Sequence, residues 1–301
     1  MRYLIYILTL SIILGIVSYV SAAPNYEVYV LLSASWANVG RFVSIDNDDI
    51  KEKNGDETAV SFAYIKGPDV EMIFGPGPRK ETVFIFSKGS FDFADQQSLL
   101  SSIGADANNI KTVVMEAACL DHAGGTDAFP NASFVIQDKE FNKFTYAGNT
   151  VDYEKVKKLK EEGRLRIIDG DVELAPGIKA YLLGGHTYGN QCLSINTKDG
   201  MVVLVGDGLF TYENLMYDVP SPFDYLEGDL VKQKEAYKRI REITGGSDKL
   251  LVPGHDMEVF RRFPKLAGSD RIVQVKLLDI VTSVKTKGML ATTWGEIRRT
   301  K

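Results

Sequence analysis

Glu116-Ala117-Ala118-Cys119-Leu120-Asp121-His122-Ala123-Gly124-Gly125 is the stretch that decides how this 301-residue chain reads. It sets an acid and an imidazole one residue ahead of two glycines. The chain has only three histidines, and the other two recur in the same setting, in Gly184-Gly185-His186-Thr187 and in Pro253-Gly254-His255-Asp256. Between them Asp207 stands in Val205-Gly206-Asp207-Gly208. Neutral imidazole is the commonest protein ligand for zinc, and carboxylate is the next hard donor. Asp121, His122, His186, Asp207 and His255 are therefore expected to gather from four loops into one metal site.

Working outward, the quoted stretch resembles the signature loop of the metallo-β-lactamase superfamily, H-x-H-x-D-H followed by Ala-Gly-Gly. Ala117 and Cys119 stand where the first two histidines would be. The resemblance continues in order through Asp127-Ala128-Phe129-Pro130-Asn131-Ala132, residues 169 to 178, Gly185-His186-Thr187, Gly206-Asp207 and Gly254-His255-Asp256. Several matches in the right order are far more specific than any one of them. The wording is most similar to the lactonases that open N-acyl-homoserine lactones.

The resemblance implies an α/β fold, the αββα sandwich of that superfamily. It also implies a hydrolase of a small ester or lactone that uses a metal-bound water, with Asp121 as ligand and proton acceptor. In the family one metal is held by the first two signature histidines and the His186 position, the other by the Asp121, His122 and His255 positions, and Asp207 bridges. Carried over by position, the second set is complete, while the first keeps His186, Asp207 and Cys119. One tightly bound zinc and a second, weaker site are expected, and iron or manganese fit the same donors. Three readings of Cys119 stand open: zinc ligand, disulfide partner of Cys192, or buried free thiol.

Two departures bear on chemistry. The family places an Asp-Thr-Gly turn after the strand ahead of the signature loop; here Phe86-Ser87-Lys88-Gly89 is expected at that point, losing a carboxylate behind the ligands and bringing Lys88 beside the site. A substrate-contacting tyrosine of the lactonase branch falls on Phe210, which has no hydroxyl, with Tyr212 near but out of register. Lys88, Phe210 and Tyr212 are the candidate substrate contacts. The lost ligands keep a second reading open, a catalytically inactive protein of the same fold that binds a small anionic ligand.

Composition sets the outer bounds. With 45% hydrophobic residues, 25% charged residues and a net charge of −5, the chain suits a globular protein acting on a small molecule, and no nucleic-acid partner is expected. Arg2, the apolar run from Leu4 to Val20 and Ser21-Ala22-Ala23 have the layout of a secretory signal. Residues 1–22 are thus expected to be removed and residues 23–301 to form a single secreted or periplasmic domain. Left uncleaved, the segment would anchor the chain to a membrane.

Strand-length apolar runs are expected at Tyr26 to Leu32, Ala59 to Tyr64, Thr82 to Phe86, Thr112 to Met115, Ser133 to Ile136, Leu165 to Ile168, Lys179 to Leu183, Cys192 to Ile195, Val202 to Val205 and Leu250 to Val252. Helical patterning covers Phe93 to Ile103, Asp152 to Glu162 and Leu230 to Ile243. Two stretches look like additions. Ala37 to Asp56 is polar, and Asn214 to Gly228, rich in Pro, Tyr and Phe, reads either as a pocket roof or as a packed surface loop.

Overall fold

Strand β1 (Glu27–Ala37) alternates between two environments, and this alternation explains the layering. In the computed structural model, which describes residues 24–37, 57–86, 91–142, 150–221, 230–266 and 268–278, Val28, Val30 and Leu32 join one core cluster and Leu31 joins another. The expected signal segment, Lys88, most of the polar addition and residues 222–228 lie outside the described residues. Among the described residues no helix is long and apolar enough to cross a membrane.

The first sheet runs β13 (Ile272–Gln274), β1, β2 (Glu57–Lys66), β3 (Glu71–Phe74), β5 (Thr112–Val114), β6 (Ser133–Gln137) and β7 (Leu165–Ile168), with β4 (Asp92–Phe93) pairing on β1. The second runs β12 (Leu251–Pro253), β11 (Gly200–Gly206), β10 (Gln191–Thr197), β9 (Ile178–Leu182) and β8 (Val172–Ala175). Between the sheets Val28, Val30, Ala63, Phe74 and Val135 share a cluster with Ile178, Leu193, Ile195 and Val203. On the other face of the first sheet, Leu31, Phe62, Ile73, Val113 and Phe134 pack with Leu99, Leu100, Val156 and Leu159 from flanking helices. A sheet buried on both faces needs near-continuous apolar strands, and the expected runs have that character. Tyr212, Leu215, Tyr237 and Ile240, from the helices Tyr212–Tyr217 and Leu230–Ile243, complete the αββα layering beside the second sheet.

One expected strand is a helix. Lys80–Phe86 is α-helical, although Thr82-Val83-Phe84-Ile85-Phe86 favours a strand by composition. Val83 packs against Ala34, Trp36 and Val60, while Phe84 is exposed, so one apolar side chain of the run serves a small satellite core and packing overrides propensity. The strand ahead of the signature loop is instead β3, which the sequence reading missed. It pairs in parallel with β5, Phe74 opposite Val114, so the turn beside the signature loop is Gly75-Pro76-Gly77 rather than Phe86 to Gly89. The Gly75 N–H donates to the Val114 carbonyl at 2.8 Å and holds that turn in place.

Candidate metal centre

Parallel pairing decides which loops meet. β11 and β12 are parallel, Leu204 opposite Val252, so Asp207 and His255 leave the same end of the second sheet. Backbone bonds tie their two loops together: Gly254 N–H to the Leu209 carbonyl and His255 N–H to the Phe210 carbonyl, both 2.9 Å. The signature loop after β5 is laced to the start of β10, with Gln191 N–H donating to the Glu116 carbonyl at 2.9 Å and Gln191 Nε2 to that of Met115 at 2.8 Å. The buried Glu140 carboxylate accepts the N–H groups of Ala118 at 2.7 Å and Gly189 at 2.9 Å, joining the loops that carry Cys119 and His186.

These ties bring all the expected ligands together as two clusters. Cys119, His186 and Asp207 form one, and Asp121, His122 and His255 the other, the donor atoms within each lying within 4.8 Å of one another. Asp207 serves both. Its Oδ1 is 2.9 Å from His122 Nε2 and 2.8 Å from His255 Nε2, and its Oδ2 is 3.2 Å from His186 Nε2. Cys119 Sγ lies 3.3 Å from His186 Nε2. Asp121 Oδ2 lies 3.5 Å from His122 Nε2 and 3.6 Å from His255 Nε2.

The donor chemistry fits metal ions. His255 Nδ1 is engaged by the Ala59 carbonyl at 2.8 Å, and His122 Nδ1 contacts the Glu116 carboxylate, so in each ring Nε2 is the nitrogen left to coordinate. Those two Nε2 atoms face each other at 3.2 Å, an arrangement of lone pairs that a shared cation or a shared proton stabilises. Asp207 Oδ1, buried between them, accepts no aligned hydrogen bond. A buried carboxylate oxygen without a hydrogen-bond partner is costly unless something positive faces it.

The electrostatics point the same way. Burial pushes the Asp207 carboxyl up, but His122, His186 and His255 outweigh it and hold the group well below the usual carboxylate range. Burial lowers His122 and is outweighed by Asp207, Glu116 and Asp121, which raise it well above the ordinary imidazole value. Desolvation, then Asp207 and Asp121, push the Cys119 thiol well above its usual value, so without a cation it stays protonated. Both cysteines are free, with Cys192 in the core on β10, and no Cys119–Cys192 disulfide is present.

The expected substrate contacts fare differently. Phe210 is buried, its ring 5.3 Å from that of His186 and 4.8 Å from that of His255, so it stands as an apolar wall behind both imidazoles. The contact expected of Tyr212 is corrected. That side chain is buried, its hydroxyl donates to the Leu251 carbonyl at 2.6 Å and its ring lies under the Arg262 guanidinium, so the hydroxyl is spent inside the fold. Lys88 falls outside the described residues. The sequence reading gave Glu116 and Glu140 no role. Glu116, ending an apolar run between buried Met115 and Ala117, carried a signal, whereas Asp138-Lys139-Glu140 looks like any solvated turn.

Residues 120–255 match the family model of the metallo-beta-lactamase superfamily. An N-acyl homoserine lactonase of Bacillus cereus is 30% identical over 166 residues, covering 54% of this chain and 62% of that protein. Another, AttM of Azorhizobium caulinodans, is 26% identical over 182 residues, covering 56% of this chain and 66% of that protein. The chain thus aligns with under two-thirds of the length of these relatives. In fold it is similar to a mutant of the Bacillus thuringiensis lactonase AiiA solved with N-decanoyl-L-homoserine bound, at a TM-score of 0.64 and 20% identity over 79% of this chain and 96% of that one. The dizinc quorum-quenching lactonase AidC is similar at a TM-score of 0.58 and 15% identity, over 86% and 96%. With its two-sheet architecture and its ordered ligand strings, the chain carries over residues 120–255 a match to the metallo-beta-lactamase superfamily, and the relatives it matches are N-acyl homoserine lactonases.

Proposed function

We propose that the chain is a zinc-dependent hydrolase of a lactone or similar small ester, with a complete site at Asp121, His122, His255 and Asp207 and a weaker one at Cys119, His186 and Asp207. The observation that carries this reading is the Asp207 carboxylate, whose two oxygens face different donor clusters. Metal held there supplies Lewis-acid polarisation of a carbonyl and a water nucleophile at neutral pH. The chain's own residues arrange the rest. His122, His186, Asp207 and His255 are buried, whereas Cys119 is half-buried and the Asp121 side chain keeps 12% of its surface exposed, so substrate arrives on the Cys119 and Asp121 side. Asp121 is then placed to accept a proton there. Phe210 excludes water from behind His186 and His255 but offers no hydroxyl, so this chain has no phenol at that position to bond a substrate oxygen.

The relatives' activity is the support for the substrate class. The test is hydrolysis of N-acyl-homoserine lactones of several chain lengths and of aryl esters by chelator-stripped protein, before and after zinc is restored, with metal counted by elemental analysis. Metal-dependent turnover of either class is expected. A chain that binds zinc and hydrolyses neither sinks the hydrolase reading, and one that binds no zinc, iron or manganese sinks the metal reading as well.

A further inference from the structure

Glu116 is 2% exposed, and its side chain lies against His122 and the glycines Gly75 and Gly206. Its Oε1 contacts His122 Nδ1, and its Oε2 is buried with no hydrogen-bond partner. A Cβ on Gly75 would lie 2.4 Å from that Oε2, and a Cβ on Gly206 would lie 2.5 Å from Glu116 Cγ. Both glycines hold the left-handed conformation, φ +63° and +60°, so each turn both approaches the carboxylate and adopts a backbone that side chains disfavour. Gly75 belongs to the turn after β3 in the first sheet and Gly206 ends β11 in the second. The carboxylate is thereby clamped between the two sheets. Its own backbone carbonyl is fixed by the Gln191 N–H at 2.9 Å and by Asn190 Nδ2 at 3.4 Å.

Such a cradle is a poor way to gain stability. Burying a carboxylate costs several kcal/mol unless it is well paired, and one oxygen here has no hydrogen bond. The turn beside the signature loop, Gly75-Pro76-Gly77, carries no acid, so Glu116 is the carboxylate that stands behind this part of the site. We propose that Glu116 is a positioning residue for the metal site, holding His122 by Nδ1 so that Nε2 faces the ion and adding negative charge behind that ligand. The proposal rests on the metal reading above, and it assigns Gly75 and Gly206 the role of leaving room for the carboxylate.

The experiment measures zinc affinity of the full chain by competition with a chromophoric chelator, the visible spectrum of the cobalt-loaded chain, and melting of the metal-free chain. Glu116→Gln keeps the shape and removes the charge. It is expected to weaken zinc binding about 10- to 100-fold, the usual cost of losing a partner behind a ligand, and to shift the cobalt spectrum, while the metal-free melting temperature holds or rises. Glu116→Asp keeps the charge but withdraws it from Nδ1 by one methylene, and it should weaken binding too. Unchanged zinc affinity in both variants overturns the proposal, as does a loss explained by a matching fall in metal-free stability, which would make Glu116 a structural residue. Wild-type protein that takes up no zinc overturns the metal reading and this proposal together, a result distinct from wild type that binds and variants that bind equally.

Discussion

Cys119→Ala separates a thiolate ligand from a passive thiol. The sulfur is one of three donors in its cluster, and its loss leaves His186 and Asp207, too few to hold an ion. Losing a partner behind a ligand costs about 10- to 100-fold in affinity, so losing a donor itself costs at least the upper figure. At free zinc about 100-fold above the wild-type dissociation constant, the second ion stabilises the folded chain by about 2.7 kcal/mol, and a site about 100-fold weaker contributes about 0.4 kcal/mol. The difference, about 2.3 kcal/mol, corresponds to roughly 5–9 °C in melting temperature for a domain of this size. In the metal-free chain little should change. Cys119 precedes the short helix Leu120–Ala123 as its N-cap but makes no side-chain capping bond, and its thiol is half-buried. The assay is calorimetry in excess zinc and in chelator, with metal counted at saturation. The zinc-loaded melting temperature should fall by that amount, the chelated one should hold, and the count should drop from near two to near one. A variant that keeps both ions, or that loses as much in chelator as in zinc, refutes the ligand assignment.

The remaining expectations concern neighbouring groups. Tyr212→Phe removes the bond to the Leu251 carbonyl and should cost about 1 kcal/mol in urea unfolding with turnover unchanged; a tenfold fall in kcat/KM at unchanged stability would restore Tyr212 as a substrate contact. Glu140→Gln turns an amide towards one of the N–H groups of Ala118 and Gly189, so stability should fall by about 1–3 kcal/mol, read as a lower denaturation midpoint; no loss would mean the carboxylate does not brace the two loops. Raised imidazole values at His122 and His186 give a sign for pH. In the metal-free chain their contribution is fully present below the unfolded histidine value and is lost as pH rises through the raised folded value, while protonated imidazoles cannot coordinate. The gap in melting temperature between zinc-loaded and metal-free protein should therefore widen as pH rises through those values, and a gap that stays constant or narrows contradicts the histidine ligands.

How much was legible follows from how local each signal is. Asp207 and His255 could be read because each sits beside a glycine where a strand gives way to a turn, and His122 because Asp121 precedes it and two glycines follow within three residues. β3 was missed because four residues, Glu71-Met72-Ile73-Phe74, carry too little alternation, and Thr82 to Phe86 was misread because Val83 finds its partners on β1 and β2 rather than on adjacent strands. The position of the turn beside the signature loop failed with them, since it depends on which strand pairs with β5. Tyr212 could not be placed from its spacing to Asp207, because the direction of its hydroxyl is set by Leu251 on β12. Glu116 stood in the quoted stretch throughout, but its meaning depends on Gly75 and Gly206, which only the two sheets bring to it.

Cysteine at position 119 keeps a donor atom in its cluster, whereas alanine at 117 keeps none. Ala117 is fully buried and offers no donor, so that corner is apolar. Cys119 offers a sulfur that is neutral in the metal-free chain, held protonated by burial and by Asp207 and Asp121. A divalent ion reverses that balance, because a coordinating thiol gives up its proton to the metal's field. With the thiolate formed, Cys119 would add an anionic donor beside the Asp207 carboxylate that faces both clusters. Replacing a neutral imidazole by a thiolate therefore exchanges one nitrogen for a charge and makes occupancy of that half depend on proton release. The other half is linked to pH as well, since the raised His122 imidazole must lose a proton before its Nε2 can coordinate. Both clusters should thus take up metal more readily as pH rises, and the Asp121, His122 and His255 side, which keeps the full set of family donors, should hold its ion more tightly than the Cys119 side.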